Sequence, residues 1–141
     1  MRDVMHDIRV VPAIAPVVVV DNTATVSSII GMQGAQSCAF YVITGALVDA
    51  DATFAVLLQE GNAANLSDAT TVADTDMQSA TPGVAPLTAA SFDFSADIVV
   101  WHVGYNGNKR YVRATITPTN NTGAAPLSMV CVLGNLASMP S

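Results

Sequence analysis

Ser37–Val48 reads SCAFYVITGALV, and its apolar residues fall on both alternating sets of positions. Cys38, Phe40 and Val42 lie on one parity, and Ala39, Tyr41 and Ile43 on the other. Side chains alternate sides along a strand, so both faces of this segment are apolar. That pattern predicts a strand in the interior of a sheet. Leu127–Leu133, LSMVCVL, repeats it and predicts a second one.

The neighbouring segments extend the β reading. Val17–Val20 is β-branched throughout and stops at the turn pair Asp21-Asn22. Thr23–Ile30 is rich in Thr, Val and Ile and ends at Gly31. Thr53–Gln59, TFAVLLQ, follows the Asp49-Ala50-Asp51 turn, so the segments on either side are expected to form a hairpin. Ser91–Phe94 and Ile98–Gly104 are strand-like. Asn106-Gly107 then signals a tight primed turn, because both residues tolerate positive φ. It leads into Arg110–Thr117, RYVRATIT, with Val112, Ala114 and Ile116 on one face and Tyr111, Arg113, Thr115 and Thr117 on the other. Pro118 is expected to end that strand. Residues 62–90 read as a long surface loop with a short strand or helical turn near Thr70–Ala73. Short strands at regular spacing, with no amphipathic helix, predict an all-β fold. The architecture expected is a single-domain antiparallel β-sandwich, jelly-roll-like, with an extended N-terminal arm.

Residues 1–16, MRDVMHDIRVVPAIAP, hold no helical period for long and carry Pro12 and Pro16. They read either as an arm laid across a neighbour or as an edge strand of the same domain. The division adopted is an arm over 1–16 and a β-sandwich over 17–141.

Composition says how such a domain is used. Apolar residues make up 51% of the 141, and charged residues only 11%. A soluble domain usually carries about twice that share of charge. So few charges leave part of the exterior to be covered by partners or sister subunits. The net charge is −6, and between residues 10 and 108 there are nine acids and no Lys or Arg. Such a surface repels nucleic acid, so no nucleic-acid partner is expected. No apolar run is long enough for a membrane-spanning helix, and no membrane partner is expected. The first nine residues are too charged for a secretory signal, so synthesis in the cytoplasm is expected.

The residues that bear chemistry are scattered. Glu60 is the only glutamate, and His6 and His102 are the only histidines. Cys38 and Cys131 sit in separate apolar segments and read as buried thiols. Asp49/Asp51 and Asp74/Asp76 have alternate spacing but do not supply a calcium loop. No nucleophile motif or phosphate loop occurs. Neither an enzyme, a cofactor nor a metal is expected. Trp101, Tyr105 and Tyr111 flank one predicted hairpin, and a sugar-binding platform there is the alternative to core packing.

Three stretches carry a resemblance. MRDVMHDIRVVPAIAP (1–16), GALVDADATF (45–54) and above all KRYVRATITP (109–118), followed by NNTGAAPLS (120–128), resemble a family of small structural proteins of tailed bacteriophages and prophages. The resemblance runs along nearly the whole chain and has no catalytic motif. It implies a virion component, foremost a capsid decoration (cement) protein on the outside of the shell. The major capsid protein and sister copies, as a homotrimer, would be its partners. A tail or head–tail structural protein is the alternative. On this reading the contact candidates are Arg2, Val4, Met5, Ile8, Arg9, Val11 and Ile14 in the N-terminal segment, with Lys109, Arg110 and Arg113 in the late basic cluster. Strand addition by the arm is the expected mode of attachment.

Overall fold

The computed structural model describes residues 3–95 and 97–136. In chain order these hold helix α1 (Val4–Asp7), then strands β1 (Arg9–Val19), β2 (Thr25–Val26), β3 (Ile30–Gly31), β4 (Ala35–Thr44), β5 (Thr53–Gly61) and β6 (Thr70–Thr71). A 3-10 turn (Asp74–Asp76), β7 (Met77–Ser79), α2 (Pro86–Ala90), β8 (Phe92–Asp93), β9 (Val100–Tyr105), β10 (Tyr111–Thr119) and β11 (Ala125–Leu136) follow.

The strands make two antiparallel sheets. One has five strands in the order β1-β11-β4-β9-β7. The other runs β2-β10-β5-β6, with β3 also on β10 and β8 also on β5. Early strands pair with late ones in reverse order: β1 with β11, β2 and β3 with β10, β4 with β9, β5 with β6. The chain is therefore wound up like one long folded hairpin, an order compatible with a jelly roll. The two segments that are apolar on both faces, β4 and β11, lie side by side within the five-stranded sheet.

The core lies between the sheets. Phe40 and Val42 of β4, Val103 and Tyr105 of β9, and Met129, Cys131 and Leu133 of β11 enter from one side. Phe54 and Leu58 of β5, and Val112, Ala114 and Ile116 of β10, enter from the other. Burying each of the larger side chains stabilises the fold by about 1.5–3 kcal/mol. Stacked rings help close one end. Phe54 lies 5.0 Å from Phe92, and Phe92 lies 6.5 Å from Trp101, so the stack links the two sheets. Cys38 and Cys131 are free, buried thiols on neighbouring strands. The Cys131 thiol, followed by burial, raises the pKa of Cys38, which keeps it protonated.

Four expectations are corrected. The segments around Asp49-Ala50-Asp51 form no hairpin, because β4 and β5 belong to different sheets. The same holds for β9 and β10, which Asn106-Gly107 joins across the sandwich. Neither of those two residues has a positive φ. Gly107 is needed for space instead: a Cβ there would stand 2.6 Å from the Tyr105 hydroxyl. Residues 62–90 are not merely a surface loop, since Leu66, Val72, Met77, Ala89 and Ala90 are buried. Pro118 does not end β10 but pairs with Phe54 inside it. β2 reaches only Thr115 and Ile116, so Pro118 faces no ladder on that side and its missing N–H is tolerated there.

The arm is the fifth difference. β1 runs through the boundary at residues 16 and 17 and pairs with β11 from Arg9 to Val19. Its first half is thus the edge strand of the domain, with Ala13 and Ile14 buried in the core. The prolines that made the segment look irregular accompany two register irregularities, one between Pro12 and Ile14 and one between Ile14 and Val17.

One polar residue ties this edge down. Asn121 is 2% exposed, and its Nδ2 donates to the carbonyls of Val19 (3.3 Å) and Asp21 (3.1 Å). Its own N–H donates to Asn22 Oδ1 at 2.8 Å. Asn121→Ala strands those carbonyls and is expected to lower the unfolding free energy by about 1–3 kcal/mol. Urea denaturation checks this, and an unchanged midpoint would refute it.

Candidate interaction surface

The structure sorts the functional candidates onto two ends and two faces. The first end carries the β1–β2, β4–β5, β8–β9 and β10–β11 connections. Asp21, Asp49, Asp51, Asp93 and Asp97 all lie there, with no Lys or Arg among the described residues of those loops. These carboxylates mostly cap turns. Asp49 Oδ2 accepts from the Thr122 N–H (2.6 Å) and hydroxyl (2.8 Å), and Asp97 Oδ1 accepts from the Leu47 N–H (2.7 Å). A hydrogen bond from Asp51, then those from Thr122, hold the Asp49 carboxyl below the usual carboxylate range. The same contact raises Asp51. Among the described residues no group of three or more His, Cys, Asp or Glu could hold a metal ion.

The opposite end gathers most of the contact candidates. Asp3 caps α1 by accepting from the Met5 N–H at 2.9 Å, and its carboxylate also meets His6 Nδ1. Val4 and Met5 are exposed at 57% and 81%, and α1 buries no residue of its own. Lys109 and Arg110 stand on the β9–β10 connection at the same end, beside a groove of about 370 Å³ shared with Met32, Gln33 and Gln36. The connection is fixed from within: the Arg110 N–H donates to Asn62 Oδ1 (3.3 Å) and the Met32 N–H to the Arg110 carbonyl (2.8 Å). Arg9, also exposed, borders a second groove with Ile29, Ile30 and Gly31. Arg113 stands apart on the outside of the six-stranded sheet, where its Nε donates to Gln59 Oε1 at 3.0 Å.

Three of the ten candidates are displaced or fall outside this account. Ile14 is 6% exposed and belongs to the core, so it is not free to touch a partner. Val11 is half-buried and packs against the core. Arg2 lies outside the described residues. Strand addition through the N-terminal segment is also disfavoured by geometry. β1 is already paired with β11, and the Ser28 N–H takes the Ala13 carbonyl at 2.9 Å. Pro12 and Pro16 offer no N–H, and the bulges twist the edge away from a flat template.

The aromatic platform is not assembled. Tyr105 is wholly buried, and its hydroxyl donates to Glu60 Oε2 at 2.6 Å. Trp101 points inward onto Phe92. Tyr111 alone stays on the outside, beneath Arg110. His102 stacks on Tyr41 with ring centroids 5.3 Å apart.

The outer faces of the two sheets differ. On the six-stranded sheet, β10 and β5 present Thr115, Thr117, Thr119 and Thr53 together with Arg113, Gln59, Ala55 and Leu57, and β2 adds Val26. On the five-stranded sheet the register gives a row Val10–Val132–Ala39–Gly104–Gln78 and a row Pro12–Val130–Tyr41–His102. Beyond these come Ser128–Ile43–Val100 and the pair Val18–Pro126. Among these residues there is no Asp, Glu, Lys or Arg. A groove of about 400 Å³ opens there between Val18, Ile43 and Pro126. Composition alone gives a surface poor in charge but not its position. The signal was present: β4 and β11 are apolar on the parity that does not face the core.

Solved structures share this fold. The crystal structure of SPBc2 prophage-derived protein YomS superposes with a TM-score of 0.54 at 6% identity, over 94% of this chain and 98% of that one. A chain in the structure of infectious bursal disease virus Gx strain also gives 0.54, at 9% identity, over 94% of this chain. This chain spans about a third of the length of that viral chain (34%). No protein-family model and no curated protein matches the sequence. At these identities the likeness is one of fold.

Proposed function

We propose that this chain is a structural protein of a phage virion, and specifically a decoration protein bound to the outside of the major capsid protein shell. The observation that carries the reading is a β-sandwich that superposes end to end with a prophage-derived protein of similar length. A likeness to a chain of a virus structure supports the same direction. The attachment end would be the one bearing α1, Lys109 and Arg110, where Val4, Met5 and Arg110 are exposed. Exposed apolar side chains flanked by polar and charged ones suit the surface of another protein. The end bearing Asp21, Asp49, Asp51 and Asp97 would face away from the shell. Attachment needs no covalent step, and several copies on one shell would multiply a modest single-site affinity.

Co-sedimentation with cognate expanded shells that lack the protein tests this. Saturable binding at a fixed ratio to the major capsid protein is expected. Met5→Asp with Lys109→Glu and Arg110→Glu should weaken it by at least about tenfold, since reversed charges act on both encounter and fit. Absence of binding to expanded shells would refute the decoration role and leave the tail or the head–tail junction as the site.

A further inference from the structure

Among the described residues none covers the outer face of the five-stranded sheet, and its composition restricts what can cover it. Val10, Val18, Ile43 and Val100 are 55%, 54%, 43% and 51% exposed on it. Tyr41 and His102 form a stacked pair near its middle. We propose that this face is the interface between copies of this chain.

Charge is the first argument. Each copy carries −6, so two copies repel except where their carboxylates stay apart. The register rows of this face contain none, whereas both loop ends carry several. A different protein attracted to an acidic molecule would be expected to dock where the carboxylates are. A second copy brings the same uncharged apolar surface and needs no complement.

Area is the second. At ~3.3 Å per residue and ~4.8 Å between strands, the five strands present roughly 650 Å² in projection. Relief from side chains makes the accessible area larger. Stable interfaces bury about 800 Å² per partner, so this face alone is of the right size. The third is the sheet edge. β1 carries two prolines and two irregularities, which discourages pairing edge to edge and leaves packing face to face at ~10 Å. This face is separate from the α1 end that would meet the shell.

Sedimentation velocity of the full chain, without shells, tests it over roughly 1–100 µM. The wild type is expected to run as a multimer of the 14.5 kDa chain. Val132→Glu, on the long row, should raise the dissociation constant at least about a hundredfold, because it buries an unpaired charge in the interface. Ser128→Arg does the same at a position already polar, and decides the matter if Val132→Glu fails to fold by near-ultraviolet circular dichroism. Thr115→Glu on the opposite sheet should leave the mass unchanged. A monomeric wild type, or a multimer that a folded face variant leaves intact, would overturn the proposal.

Discussion

Removing residues 1–16 unfolds the domain, whereas removing residues 1–8 leaves it folded: this is the largest effect expected. The shorter deletion takes away α1, which buries no side chain. The longer one removes most of β1, with Ala13 and Ile14 from the core and the ladder from Arg9 to Ile14. It also uncovers one flank of β11, whose Met129, Cys131 and Leu133 lie opposite or beside those positions. Losing an edge strand and its core residues together exceeds about 5 kcal/mol, which is comparable to the whole stability of a domain of this size. Thermal unfolding followed by near-ultraviolet circular dichroism separates the two deletions. A cooperative transition for the longer deletion at the wild-type midpoint would show that β1 is dispensable. The shorter deletion is then the proper tool for testing shell attachment, because it removes Val4, Met5 and Ile8 without touching the core.

Tyr105→Phe carries the next largest effect. The Tyr105 hydroxyl joins the two sheets by donating to Glu60 Oε2, and it accepts from the Lys109 N–H at 3.2 Å. Both residues are buried. The variant leaves the Glu60 carboxylate inside the protein without its donor, and loses about 2–3 kcal/mol. For a domain of this length that is roughly 6–12 °C in melting temperature. Lys109 and Arg110 would also lose an anchor, since the Lys109 backbone hangs on this hydroxyl.

The pH profile gives a second readout. Burial, followed by the Glu60 hydrogen bond, raises the Tyr105 pKa above its ordinary value of 10.0. A group whose folded pKa lies above its unfolded one stabilises fully below the unfolded value and loses that contribution as pH rises through the folded one. The difference between wild type and Tyr105→Phe should therefore be flat from neutral pH up to pH 10 and shrink above it. A difference that grows with alkalinity would contradict the buried clamp.

Much of this protein was decided by the sequence alone. The period of 2 in Val112, Ala114 and Ile116, and the two-faced apolar runs of β4 and β11, determined an all-β sandwich and the central place of those two strands. Alternation is a local consequence of backbone geometry, so it is legible without knowing any partner strand. The near absence of charge likewise determined that large parts of the surface are uncharged, because charge content depends on composition before it depends on position. Other features needed the tertiary structure. A turn pair such as Asn106-Gly107 marks a reversal but does not say whether the chain returns to the same sheet or crosses to the other. Here β9 pairs with β4 and β7 while β10 pairs with β5, so the chain crosses. Nor could the sequence tell an arm from an edge strand in residues 9–16, since Pro12 and Pro16 disturb the local pattern equally in both. Pairing with β11 settled it. The same pairing laid residues from β1, β11, β4, β9 and β7 into one uncharged face, a juxtaposition of segments far apart in the chain that only long-range register could bring about.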